Sequence, residues 1–568
     1  MNKILSLLDK KQKKIALVIT VLIFFLSIFE LLIFNLIQPI INFFSRDDGV
    51  DEIKLFGSKF NLNITALEIF ILFFAIFLTR SFLSVAISYL RQKLIKDIND
   101  NLSERVFKKY LDKNFLFFMD SNSSKFISNI IIEVDKFAYR LIDSLFYLLA
   151  DFAIILIVLS YLFYNYFLPA IIFFSVTLIF FGAFFKIYRT SYKELGERKI
   201  LHDAEKLTQL QNSFYVIQTI KLENLENYFL NKFKVANNQS SESTFRMQFI
   251  SELPKNLIEV AMLLIIAVII GLLFYSFNFN KHEVLSILGL FVFAMFRLLP
   301  SSNRVLFSIN SVRYYFLTTE TLKQQLEEKD QYNIEKLNTE TENNFIFRES
   351  IKIKQINFSY NNDVEILKNI NLEIKKNETI GIKGDSGAGK STLLNIICGL
   401  IKVSSGQILI DNDDISQVHR SYQKKIGYIP QKIYLVDDSI IKNIIFGQSK
   451  KEFDYYLFDD VIKKSNLKEF IDNLKDKEDT IIGERGSKLS GGQQQRIGIA
   501  RALYKKPEII IFDEATNALD ANSENEILKT INELKKDNTI IIVSHKDSIL
   551  DYCDRIFEIK NKTIFKIK

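Results

Sequence analysis

The chain has 568 residues, enough for more than one domain and a sizeable core. Its net charge of only +7 excludes the strongly basic surface that a nucleic-acid partner requires. Two cysteines, Cys398 and Cys553, are too few and too far apart for a metal site, and they read as reduced cytosolic thiols.

Up to about Ser311 the sequence alternates long apolar runs with charged stretches, whereas beyond Asn344 the runs shorten to strand length and glycine punctuates them. Six runs reach the ~20 residues needed to cross ~30 Å of hydrocarbon. They lie near 15–43, 65–90, 141–163, 166–188, 257–278 and 284–309. The first is too long for a signal-peptide core and lacks a small-residue cleavage site, so it is expected to be retained. Lysine and arginine crowd the segment "MNKILSLLDKKQKK" and the two long connections 91–140 and 186–255, which places these on the cytosolic side. Both connections carry apolar residues at helical spacing and read as helices protruding into the cytosol. In the first external loop, 44–64, the stretch "VDEIKLFGSKF" (50–60) puts Ile53, Phe56 and Phe60 on one side of a short helix that Gly57 weakens.

Charges recur inside the spans. Arg297, Ser301, Arg304 and Ser308 share one helical face of the sixth span, and Arg80, Ser84, Ser88 and Arg91 repeat the device in the second. At ~1.5 Å per residue, Arg80 and Arg297 fall in the inner half of the bilayer. With Lys255 at the inner end of the fifth span, Arg80, Arg297 and Arg304 predict a basic cavity lining that suits an anionic ligand. Structural pairing with Glu30 or Glu259 is the competing reading, and Pro300 is placed to kink the sixth helix. The domain boundaries expected are therefore a transmembrane domain over 1–317, a polar linker over 318–344 and a soluble α/β domain over 345–568.

The soluble domain carries a phosphate-binding pattern. "GDSGAGKST", from Gly384 through Asp385, Ser386, Gly387, Ala388, Gly389, Lys390 and Ser391 to Thr392, follows a strand-like run and precedes a helical one. Its glycines let backbone N–H groups close around phosphates at a helix N-terminus, Lys390 adds charge, and Ser391 offers a hydroxyl to Mg²⁺. "EIIIFDE" is a buried strand ending in Asp513, suited to hold Mg²⁺, and Glu514, suited to polarise water. "LSGGQQQRIGIARAL" starts a second helix at Ser490, Gly491, Gly492 and Gln493, and that second anion-binding terminus is read as serving the nucleotide of another copy of the chain.

Together these motifs resemble those of exporter-type ATP-binding cassette (ABC) transporters, and the resemblance covers nearly the whole chain. It implies six transmembrane helices followed by a P-loop nucleotide-binding domain, a homodimer, and an ATPase using ATP and Mg²⁺. It further implies that Tyr360 stacks on adenine and that Gln431 senses Mg²⁺ and water. "GERG" (483–486) would meet the loop helices, "NALD" (517–520) would cross the dimer interface, and His545 would contact the γ-phosphate. Asn517 stands where the family usually has serine. "FRLLPSSNR" and "QKKIGYIPQKIYLVDDSIIKNIIFG" are similar to the bacterial flippase of lipid-linked oligosaccharides for protein N-glycosylation. That likeness implies a polyprenyl-pyrophosphate glycan as substrate, an external-loop helix against its tail, and a place in the bacterial inner membrane with the soluble domain and termini cytosolic. Relatives of the same architecture that export lipid A or drugs are the alternative, and a non-transporting membrane ATPase is the weakest reading.

Overall fold

The computed structural model describes residues 2–45, 53–55, 58–60, 66–121, 123–275, 281–327, 345–360, 364–448, 453–515 and 521–568. The chain divides into two compact units, Met1–Lys113 with Asp120–Lys329, and Asn114–Met119 with Asp330–Lys568.

The first unit is built from long helices. They run Lys10–Ser45, Ala66–Leu111, Asp143–Asn165, Phe167–Tyr215, Glu226–Tyr275 and Lys281–Glu327. Four stretches, Lys10–Ile41, Leu67–Leu111, Ser123–Asn165 and Ile287–Glu327, are long and apolar enough to cross a membrane among the described residues. The chain is thus a multi-pass membrane protein. Helices of 46 to 50 residues are about 70 Å long at ~1.5 Å per residue, more than twice the hydrocarbon thickness. The spans and the charged connections are therefore the same continuous helices, with no break at the membrane boundary. Before Asp143 the chain is also helical, through two π-helical stretches at Ser128–Glu133 and Lys136–Ile142.

Phe34, Leu162, Leu290, Phe291, Ala294 and Leu298 form the buried core of this unit, while Leu67, Phe82 and Val85 point outward, as lipid-facing residues do. Gly289 marks a close helix crossing, because a Cβ there would lie 2.8 Å from Ile41 Cδ1. Pro300 falls inside the sixth long helix and does not end it.

The expected external-loop helix is not found among the described residues of the loop. Ile53–Leu55 (β1) and Ser58–Phe60 (β2) pair antiparallel, with Ile53 opposite Phe60 and Leu55 opposite Ser58. The physical reason lies in the segment itself, which is shorter than an isolated helix needs and carries Gly57 at its middle. Phe56 lies outside the described residues.

The second unit holds two sheets. The strands Ser350–Ser359 (β3), Glu365–Lys375 (β4), Ser405–Ile410 (β6) and Asp413–Asp414 (β7) form an antiparallel sheet in the order β4-β3-β6-β7. The larger sheet runs β12-β11-β5-β10-β9-β8. It comprises Thr379–Gly384 (β5), Ile426–Ile429 (β8), Ile509–Asp513 (β9), Thr539–Val543 (β10), Arg555–Lys560 (β11) and Thr563–Lys566 (β12). All its pairings are parallel except β11 with β12. The unbroken isoleucine runs of β9 and β10 are buried at every position, because both faces of a parallel sheet are covered. This topology delivers the carboxyl ends of β5, β9 and β10 to one edge, where α/β proteins bind ligands.

Candidate nucleotide site and membrane cavity

The loop after β5 leads into the helix Lys390–Ile397. Gly387 and Gly389 have φ of +80° and +99°, values that side-chain-bearing residues rarely adopt, and a Cβ on Gly389 would lie 2.9 Å from Leu367 Cδ2. This conformation turns backbone N–H groups toward one point and fits a phosphate chain. Lys390 is buried and donates to the carbonyls of Gly384 at 2.8 Å and Asp385 at 3.0 Å. Tyr360 places its hydroxyl 3.0 Å from Thr392 Oγ1, and its ring meets Phe358 edge-on, so the aromatic side chain stands beside the same helix.

Glu514 follows β9 in a left-handed conformation (φ +50°), anchored by its N–H to Val543 O at 3.0 Å. Gln431 Nε2 donates to Glu514 Oε2 at 2.8 Å, and His545 Nε2 lies 3.1 Å from Oε1. Lys390 Nζ lies 2.9 Å from His545 Nε2 and 3.6 Å from Glu514 Oε1. Lys390, Gln431, Glu514 and His545 come from four separate segments and converge within one cluster. Asp513, largely buried at the end of β9, accepts from Tyr428 OH at 2.8 Å. Burial raises its carboxyl above the ordinary 3.8, against the opposing pull of the Tyr428 hydrogen bond. Burial likewise lifts the Tyr428 hydroxyl well above its usual range.

Tyr428 was not among the residues singled out from sequence. The signal for it was the pairing of β8 with β9, which sets Tyr428 across from Ile511, two residues before Asp513. Ser391 in the first turn of the helix Lys390–Ile397 and Asp513 at the end of β9 are hydroxyl and carboxylate oxygen donors of the kind that suits Mg²⁺ bound mainly through phosphates. No group of three or more His, Cys, Asp or Glu side chains forms a cation cage among the described residues.

The helix Gly491–Leu503 begins with a capping box. Ser490 Oγ accepts from Gln493 N at 3.3 Å, and Gln493 Oε1 accepts from Ser490 N at 2.9 Å. Among the described residues nothing outside its own turn lies within 4 Å of a Cβ built on Gly491, so the terminus is open. Gln494 Nε2 donates to Gly486 O at 3.0 Å and ties this helix to "GERG". "NALD", with Asn517, lies outside the described residues.

In the membrane unit a cavity of about 560 Å³ is lined by Arg80, Arg91, Arg297 and Arg304 together with Glu30, Asp151 and several serines. The basic residues expected on the second and sixth helices therefore do meet, but not as free cations. Glu30 forms ion pairs with Arg80 and, at 3.5 Å, with Arg297. Arg304 grips Asp151 through two hydrogen bonds of 2.9 and 2.6 Å. The reason is energetic: a lone guanidinium in hydrocarbon is expensive, and an acid on a facing helix lowers that cost. Asp151 was overlooked because it stands alone in an apolar run. Of the two acids considered from sequence, Glu30 is the partner. The Lys255 side chain lies outside the described ones.

The structure superposes on a bacterial Atm1-family ABC exporter with ATP bound at a TM-score of 0.78, covering 98 % of this chain and 95 % of that one at 22 % identity, a likeness of fold. A putative export ATP-binding/permease protein of Rickettsia typhi is 42 % identical over 219 residues, 38 % of each chain. A putative multidrug export ATP-binding/permease protein of Staphylococcus aureus is 44 % identical over 213 residues, 37 % of this chain and 36 % of that one. The match thus spans little more than a third of these relatives' length. The ABC transporter family model matches residues 367–517, and the model of the ABC transporter transmembrane region matches residues 16–301, half of the chain. The membrane helices, the P-loop and the acid pair after it belong together in one chain, and that chain is a member of the ABC transporter family.

Proposed function

We propose that the chain is half of an ATP-driven exporter, an ATPase coupled to transport, and that two copies pair head to tail in a bacterial inner membrane with the soluble domains cytosolic. The observation that carries this reading is Glu514 held between Gln431 and His545 at the mouth of the P-loop. There it can orient a water toward a γ-phosphate, while Lys390 and His545 counter the charge that develops. Lys390 would exchange its loop carbonyls for phosphate oxygens, and Tyr360 would stand against the adenine. Ser391, Asp513 and Gln431 would hold Mg²⁺, which neutralises phosphate charge when bound. Ser490, Gly491, Gly492 and Gln493 would present their helix terminus to the nucleotide of the second copy.

For the substrate we propose an amphiphile with an anionic head, and specifically a polyprenyl-pyrophosphate-linked oligosaccharide. Four arginines facing two carboxylates in the cavity support an anionic ligand over a cationic one. A lipid A or multidrug exporter is the second reading, favoured by the description of the Staphylococcus relative and by the two acids that lower the cavity's charge. ATPase stimulation of the reconstituted protein by lipid-linked sugars, lipid A and drugs separates these. Stimulation by cationic drugs alone would overturn the anionic reading.

A further inference from the structure

The cavity holds two ion-pair arrangements of different kinds. Arg304 and Asp151 are matched one to one, with both carboxylate oxygens hydrogen-bonded in a fork. Glu30, by contrast, is 1 % exposed and shared by two guanidiniums, those of Arg80 and Arg297. Neither Glu30 oxygen makes a hydrogen bond of good geometry, and neither does Nε of Arg80 or Arg297. A buried carboxylate with unmet acceptors calls for an explanation, and an ion that occupies the site is one. Charge points the same way. The lining carries Arg80, Arg91, Arg297 and Arg304 against Glu30 and Asp151, and Asp143 lies 3.2 Å from Arg91. Among the described residues one positive charge is left over, and it falls on the pair that shares Glu30. The two guanidiniums differ in setting too: Arg297 lies 5.6 Å from the centre of the Phe77 ring and 6.0 Å from that of Phe293, an apolar flank beside a charged head.

We infer that Glu30 is a resident counter-ion, and that the anionic headgroup of an amphiphile competes with it for Arg80 and Arg297. The inference rests on the reading that this cavity receives the transported molecule. In the resting cavity Glu30 holds both arginines and makes the charge tolerable in the membrane. An entering phosphate takes the surplus charge and the free guanidinium N–H groups, and Glu30 sets how tightly it is held. A single carboxylate thus tunes affinity so that an anion can be released as well as bound.

The test uses the full-length chain in nonionic detergent and measures binding of farnesyl phosphate by thermophoresis, with farnesol and inorganic phosphate as the arms that separate tail from head. Arg297→Gln leaves one guanidinium for Glu30, a closed pair, and should weaken farnesyl phosphate binding at least ~tenfold, the scale of one lost charge-assisted contact. Adding Glu30→Gln in that background frees Arg80 and should restore binding to the wild-type level or beyond. The double variant removes one charge of each sign, so it keeps the cavity's net charge, and its thermal unfolding should match wild type. A folded double variant that binds no better than Arg297→Gln overturns the competition. Wild-type protein that binds farnesol as well as farnesyl phosphate overturns the anionic reading itself. Inorganic phosphate binding as tightly as farnesyl phosphate overturns the amphiphile as the ligand.

Discussion

Glu514 occupies a left-handed backbone position that a glutamate adopts only when its surroundings hold it there. Its N–H to Val543, and Gln431 and His545 on its oxygens, supply that hold. Glu514→Gln keeps the size and the hydrogen-bonding reach but removes the carboxylate that would take a proton from water. ATP hydrolysis should fall at least ~100-fold while ATP still binds, read by parallel turnover and equilibrium nucleotide-binding assays. Wild-type turnover would refute the role. The two thiols make a separate residue-scale case. Burial lifts Cys398 and Cys553 from the ordinary 9.0 to about 12. A thiol ionises in the unfolded chain first, so above pH 9.0 these groups favour unfolding progressively up to about 12, and below it they contribute nothing. Alkylation by iodoacetamide at pH 8 should therefore need denaturant, and mass spectrometry of the native protein should find both thiols unmodified. The motif residues were legible because their spacing is itself the chemistry. Tyr428 and Asp151 were not, because each acts through a neighbour distant in sequence.

The helices show where sequence reading stops at the element scale. Apolar length placed four of the six expected spans on helices apolar enough to cross a membrane among the described residues, but hydropathy cannot reveal that a charged helix continues an apolar one without a break, since both halves satisfy the same backbone hydrogen bonds. The external loop failed differently: Ile53 and Phe60 share one side of a helix over 50–60 but also face each other across β1 and β2, and only pairing decides. The sixth helix is tied to Asp143–Asn165 by Arg304 and Asp151, a link between elements that no local pattern announces. Asp151 is nearly fully buried but the Arg304 side chain is about half exposed, so Asp151→Asn should destabilise the membrane unit by about 1 kcal/mol, less than breaking a fully buried pair costs. Thermal unfolding in detergent reads this directly. Replacing both partners, Asp151→Leu with Arg304→Leu, should recover most of the loss; no recovery would mean that the pair does more than balance charge.

For the whole molecule, the decisive feature is that one chain holds an open helix terminus at Ser490 whose side-chain hydrogen bonds serve only its own cap. A P-loop and this terminus both suit phosphate, and one nucleotide needs each once. The order of membrane helices and nucleotide domain could be read from composition, whereas the pairing of two copies rests on the Ser490 terminus alone, because a sequence records one copy. The proposed head-to-tail pairing would give each nucleotide a P-loop from one copy and a Ser490 terminus from the other. Lys390→Ala removes the charge on the first and Ser490→Arg blocks the second, so each variant alone should lose ATPase activity. Mixed in one membrane, they form heterodimers in which one site carries both lesions and the other neither. ATPase activity of the purified heterodimer, isolated through two different affinity tags, should return to a substantial fraction of wild type. A heterodimer as inactive as either parent would show that the two sites do not form across copies, or that both must be intact for either to turn over. A Ser490→Arg homodimer retaining full activity would remove the terminus from the nucleotide site altogether.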